Sequence, residues 1–183
     1  MSGNTPLDYI WKSYQRTCDC FTVTDQAFKK ALAENNFSLL DKTLFSEAQK
    51  DEAELWIQAS RKEADNFVIL SLWTMFERII LEDVQLQIEH LSDSSPAVLK
   101  SICNKVNNEI EYWRMNDILD LFKGIVDKNL LGNVKQVKEY RDWVAHRNER
   151  KVKPPNIMPF DAYDRLSKVL DEINAISTNK SND

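Results

Sequence analysis

Glycine and proline are scarce, with 3 Gly and 5 Pro in 183 residues. Sandwiches and barrels need turn residues about every 8–12 positions, so an all-β fold is excluded. The abundance of Leu, Glu, Lys, Asn, Asp and Ile points instead to an all-α helical bundle. Cysteine is also rare. Cys18, Cys20 and Cys103 are odd in number and lack framework spacing, which argues against a disulfide scaffold and for reduced thiols in a cytoplasm. Cys18-Asp19-Cys20 is too tight for a zinc knuckle and no Cys/His pair follows it, so no metal site is expected. A Gly-rich phosphate loop, Gly-x-Ser-x-Gly and His-Glu-x-x-His are all missing, and no cofactor is expected. Long apolar runs are missing too. The most apolar stretch, Phe67 to Leu81, is interrupted by Glu77 and Arg78. It falls short of the roughly 20 apolar residues a bilayer requires. The first residues show no charged-then-apolar signal pattern. A soluble, cytoplasmic protein with no membrane partner is therefore expected. With a net charge of -5, coating of long nucleic acid by charge alone is disfavoured, although a small basic site on an acidic body is not.

Helix signals are plentiful. Thr5-Pro6 opens a first helix to about Arg16, and Thr24 can cap a second from Asp25 to about Asn35. Ser46-Glu47-Ala48-Gln49 starts a long stretch to Leu91, as one helix or as two with a break near Arg61 to Asp65. Ser95-Pro96 begins another, to about Trp113, and Asn116 caps the next, to about Lys128. Leu131-Gly132-Asn133 reads as a break before a helix from Val134 to His146. Pro154-Pro155 requires a loop, and Pro159 to Ser177 makes the last helix. The expected organisation is an N-terminal helical extension (1–45) packed on a helical domain (46–178), with a frayed tail (179–183).

The segment Tyr140 to Arg150 carries the most chemistry, and holds one of only two histidines. Asp142 precedes His146 by four residues, so the two share a helix face and Asp142 can accept a hydrogen bond from the imidazole. Such a carboxylate would fix the tautomer of a side chain that titrates near neutrality. Arg141 offers a planar, permanent cation suited to a phosphate. A base beside a phosphate clamp suffices for RNA cleavage by the substrate's own 2′-hydroxyl. Residues five apart diverge by about 140° on a helix. Arg141 and His146 therefore make a poor pincer on one chain, and a better one when a twofold axis brings two copies together. Lys138, Arg147, Arg150, Lys151 and Lys153 give a local positive excess able to steer RNA. The alternative is a solvated helix end whose cations suit the C-terminal dipole.

A second feature lies in Leu70 to Leu81. Val68, Leu72, Trp73, Met75, Phe76, Ile79, Ile80 and Val84 cover about half of a helical circumference, with Glu77 inside the extended arc. A lone buried carboxylate is costly. Glu77 thus pairs either with Arg141, at the margin of the Val134, Val137, Tyr140, Val144 stripe, or with Arg78 at the surface. Glu109, Glu111, Asp117 and Asp120 lack histidine partners and read as solvated helix faces.

At these residues the chain resembles the HEPN superfamily, the all-helical higher-eukaryote and prokaryote nucleotide-binding domains. Arg141-Asp-Trp-Val-Ala-His146 fits its Arg-x4–6-His hallmark late in the domain, and Phe76-Glu77 is similar to the aromatic–Glu pair of an earlier helix. The resemblance covers about Ser60 to Ser177. It implies a HEPN-type bundle and a homodimer with both motifs at the interface. It further implies metal-independent endoribonuclease chemistry leaving a 2′,3′-cyclic phosphate and a 5′-hydroxyl. The implied setting is a toxin–antitoxin or anti-phage system, with a cognate antitoxin or defence partner. His146 would be the base or acid, Arg141 would hold the scissile phosphate, Asp142 would orient His146, and Glu77 would support them. Lys138, Arg147, Arg150 and Lys151 would contact RNA. Some members lack activity, so the alternative is a non-catalytic module binding a partner protein or nucleotide, with Trp11, Trp56, Trp113 and Trp143 as interface candidates.

Overall fold

The computed structural model describes residues 5–147 and 152–179. Among the described residues there are six α-helices: α1 (Pro6–Glu34), α2 (Lys50–Asp93), α3 (Ala97–Glu109), α4 (Met115–Asp120), α5 (Lys128–His146) and α6 (Pro159–Asn179). All regular elements among the described residues are helical, as the composition requires. None of these helices is long and apolar enough to cross a membrane.

Helix α1 starts where Thr5-Pro6 places it. Thr5 Oγ1 accepts from Asp8 N at 3.2 Å, and Thr5 N donates to Asp8 Oδ2 at 2.8 Å. It then runs on through the expected gap to Asn35, which caps it in a left-handed conformation with φ 49°. Thr24 does not cap a second helix, because its hydroxyl donates to the Cys20 carbonyl at 2.9 Å. Thr17 and Thr22 make the same bond to the carbonyl four residues back. A threonine so engaged stays within a helix.

Two short 3-10 turns, Ser38–Leu40 and Leu44–Ser46, separate α1 from α2. Ser46 donates to the Thr43 carbonyl at 2.9 Å rather than capping α2, so the long helix starts four residues later than its signal. From Lys50 it continues unbroken to Asp93; no Gly or Pro interrupts it.

The chain forms two compact units, residues 1–69 and 70–183. In the first, Phe28, Ala31, Leu40, Ala48 and Ala53 form a buried cluster, with Phe37 and Phe45 packed on it. The Tyr14 hydroxyl donates to Asp65 Oδ1 at 2.5 Å, joining α1 to α2. Burial first, then the Asp65 bond, pushes the Tyr14 phenol well above its ordinary value. In the second unit, Leu72, Trp73, Phe76 and Ile80 of α2 are fully buried, as are Ile110, Leu119, Val134, Val137, Ala162, Leu166 and Val169. Phe160, in the first turn of α6, is exposed.

Two local expectations fail around Gly124 and Gly132. Helix α4 ends at Asp120 rather than near Lys128. Gly124 then takes φ +81°, a value open to glycine at little cost. The cap of the next helix is Asp127, whose Oδ1 accepts from Asn129 N at 2.9 Å and Leu130 N at 3.0 Å. Gly132 does not break α5. An interior glycine costs only about 1 kcal/mol, which the burial of Leu131, Val134 and Val137 around it outweighs.

Candidate functional site

The end of α5 is built around its buried stripe. Leu131, Val134, Val137, Tyr140 and Val144 face the core. This leaves Lys138, Arg141 and Asp142 at the margin. Phe76 of α2 is fully buried, its ring 5.5 Å from that of Trp73, and the next residue, Glu77, reaches the rim.

There Glu77 meets Arg141. Glu77 Oε2 lies 3.6 Å from Arg141 Nη2, an ion pair too long for a hydrogen bond. The side chains are 32% and 27% exposed, respectively. Of the two partners left open by the sequence, Arg78 is taken by Glu82 at 2.7 Å. Arg141 Nη1 also donates to Asp142 Oδ1 at 2.9 Å, and Lys138 Nζ donates to Asp142 Oδ2 at 2.7 Å. The four side chains alternate in sign, Lys138–Asp142–Arg141–Glu77. Partial burial pushes the Asp142 carboxyl up, but the bonds from Lys138 and Arg141 outweigh it and hold it below its ordinary value.

Asp142 is therefore paired with Lys138 and Arg141, and not with His146. The hydrogen bond expected from the four-residue spacing is not formed, because each carboxylate oxygen already holds a cation. His146 is the last helical residue of α5 and is exposed. The helix is unbroken between Arg141 and His146, so the divergence of about 140° applies. One chain brings together Arg141, Asp142, Lys138 and Glu77, and leaves His146 apart from them.

Arg147 ends the helix in a left-handed conformation, φ 40° and ψ 44°, its N–H donating to the Trp143 carbonyl at 2.8 Å. Arg150 and Lys151 lie outside the described residues. Further on, the coil before α6 returns to α5. The Tyr140 hydroxyl donates to Asn156 Oδ1 at 2.9 Å, and Lys153 Nζ sits 4.7 Å from the centre of the Trp143 ring. Neither contact is legible in the sequence, since the partners stand sixteen and ten positions apart and outside one continuous helix.

The remaining candidates are ordinary surface. His90 is exposed in the last turn of α2. Asp120 is bonded first to Lys123 and then to Lys135, and these hold it below the ordinary value. Among the described residues no group of three or more His, Cys, Asp or Glu is placed to hold a metal. The three cysteines are free. Compared with protein-family models, curated proteins and solved structures, the chain matches none of them.

Proposed function

We propose that this chain is an endoribonuclease of the HEPN type that acts as a homodimer. The observation that carries this reading is the Glu77–Arg141 pair. It joins the aromatic–Glu element of α2 to the Arg-x4-His element of α5, two features the sequence separates by more than sixty positions. The exposure of His146 at the end of α5 supports it as well, because a base must reach its substrate.

In this reading Arg141 binds a non-bridging oxygen of the scissile phosphate. His146 of one copy takes the proton of the RNA 2′-hydroxyl, whose oxygen attacks phosphorus. The bond from phosphorus to the 5′-oxygen breaks, and His146 of the second copy protonates the leaving oxygen. The products are a 2′,3′-cyclic phosphate and a 5′-hydroxyl. Asp142 serves to hold Arg141 and Lys138 rather than to orient His146. The chemistry needs no metal, and the setting we propose is cytoplasmic, in a defence or toxin–antitoxin system with a cognate partner protein.

The test is cleavage of RNA by purified protein, with His146→Ala and Arg141→Ala variants checked for retained helicity and oligomeric state. Both variants lose cleavage, wild-type activity persists in EDTA, and its specific activity rises with protein concentration through the dimerisation range. Cleavage unchanged in both variants refutes the proposal.

A second reading is favoured by the double occupation of Arg141, whose guanidinium already faces two carboxylates. In a non-catalytic interaction module, these pairs are structural. That reading predicts no cleavage at high protein concentration and a stable complex with a partner protein.

A further inference from the structure

We propose that Trp143 and Lys153 form a subsite for one nucleotide of single-stranded RNA next to His146. The base stacks on the indole, and the Lys153 ammonium moves from the ring face to the backbone phosphate. The choice of RNA as ligand rests on the endoribonuclease reading; the subsite itself rests on the geometry.

Trp143 and His146 are three residues apart in an unbroken helix, so their side chains leave it within about 60° of each other. Trp143 is half-buried rather than covered, and the buried Tyr140 ring backs it at 6.2 Å with an interplanar angle of 34°. The platform is held from below, because the Tyr140 hydroxyl is tied to Asn156. Lys153 is brought onto the ring by the same returning coil, 4.7 Å from its centre.

Lys153 differs from the lysines around it. Lys123, Lys135, Lys138 and Lys168 each hold a carboxylate. Lys153 has no carboxylate partner among the described residues, and its ammonium rests on the indole face alone. In a chain of net charge -5, this is a cation stored on an aromatic surface. Exposed Glu139 is the acidic residue one turn earlier on the Trp143 face, and His146, Arg147 and Lys153 lie around it. A ligand that is both flat and anionic satisfies both groups at once. Base–indole stacking outweighs an exposed cation–π contact, so the exchange runs toward the bound nucleotide.

The probe is a fluorescein-labelled 2′-O-methyl oligoadenylate, which has no 2′-hydroxyl to react, titrated with full-length protein and followed by anisotropy. Trp143→Leu and Lys153→Ala each weaken binding about tenfold, equivalent to ~1.4 kcal/mol. Trp143→Phe, which keeps a ring, binds within a few-fold of wild type. Lys153→Ala lowers the slope of log K against log salt by about 0.7, the value for one phosphate contact on a single strand, and Trp143→Leu leaves it unchanged. A duplex of the same length competes poorly, because its bases are already stacked. Absence of binding by wild type overturns the subsite, as does unchanged affinity in both variants. Preferential capture of a protein partner by the Trp143 surface, with no oligonucleotide binding, overturns it too. The two proposals fail separately. Binding intact in a protein that cleaves nothing refutes only the nuclease, and cleavage with unaltered affinity in Trp143→Leu refutes only the subsite.

Discussion

The same substitution, Gly→Ala, should have opposite signs at two positions eight residues apart in this chain. Gly132 lies inside α5, and a Cβ added there meets no atom within 4 Å. Alanine then brings only its gain in helix propensity, about 0.8–1 kcal/mol. Part of that gain arises in the unfolded chain, where alanine has fewer conformations to lose. Gly124 has equally open surroundings but sits at φ +81°. There alanine carries the left-handed steric cost of about 1–2 kcal/mol. For a chain of this size each kcal/mol moves Tm by about 2–4 °C. Gly132→Ala should therefore raise Tm by a few degrees, and Gly124→Ala should lower it by a similar or larger amount. Urea unfolding followed by far-ultraviolet circular dichroism checks the signs independently, with the midpoint moving and the slope constant. A lower midpoint in Gly132→Ala would mean that the chain breaks at Gly132, as the Leu-Gly-Asn sequence suggests. Equal shifts in one direction would refute the argument that backbone conformation decides the sign.

Three further outcomes follow from side-chain contacts. A double-mutant cycle with Glu77→Gln and Arg141→Met should give a coupling of about 0.5–1 kcal/mol that shrinks in high salt, as expected for a pair about one-third exposed; zero coupling at low salt means the pair is not kept in solution. Asp142→Asn should destabilise the protein at neutral pH, because a depressed carboxyl contributes stability above its unfolded value of about 3.9. That contribution disappears as pH falls through the lower folded value, so the difference in urea midpoint between wild type and variant narrows on acidification below the ordinary carboxyl range; a gap that widens on acidification contradicts the sign. Asp127→Ala should cost about 1 kcal/mol in thermal or urea unfolding by removing the cap of α5, whereas a neutral result shows that the two backbone bonds are replaced by water without loss.

Start signals that contain a proline proved readable. Thr5-Pro6 marks the start of α1, and Pro159 that of α6, because a capping hydroxyl or a preset φ acts within one turn and needs no distant partner. The inward stripes of α2 and α5 were readable for the same reason, since period 3.6 is a property of the local chain. Signals for a break were less informative. Thr24 bonds back to the Cys20 carbonyl inside α1, and the burial of Leu131, Val134 and Val137 carries α5 through Gly132. Asn116 offered a cap that the chain did not use, because α4 starts one residue earlier, at Met115, and takes Asn116 into its first turn.

The candidate site divides in the same manner. Glu77–Arg141 was legible as one of two pairings, because a carboxylate inside an apolar arc needs a cation, and Arg141 at the margin of the α5 stripe and Arg78 beside it were both in reach. The Asp142–His146 bond was not, because spacing names the residues that can meet but not their competitors. Lys138 also stands four residues from Asp142, on its other side, and its ammonium won. That outcome bears on how Arg141 can work. Lys138, Asp142, Arg141 and Glu77 together carry no net charge, so an approaching phosphate meets a guanidinium already neutralised. Asp142 keeps a partner at 2.7 Å when Arg141 turns away, and Glu77 holds Arg141 only at 3.6 Å. The guanidinium is thus aimed by two carboxylates, one of which does not need it and the other of which holds it loosely. Such an arginine is oriented in the free protein and yet exchangeable, and in the reaction we propose the attraction that draws a phosphate to it must come from the cations at the end of α5 or from a second copy.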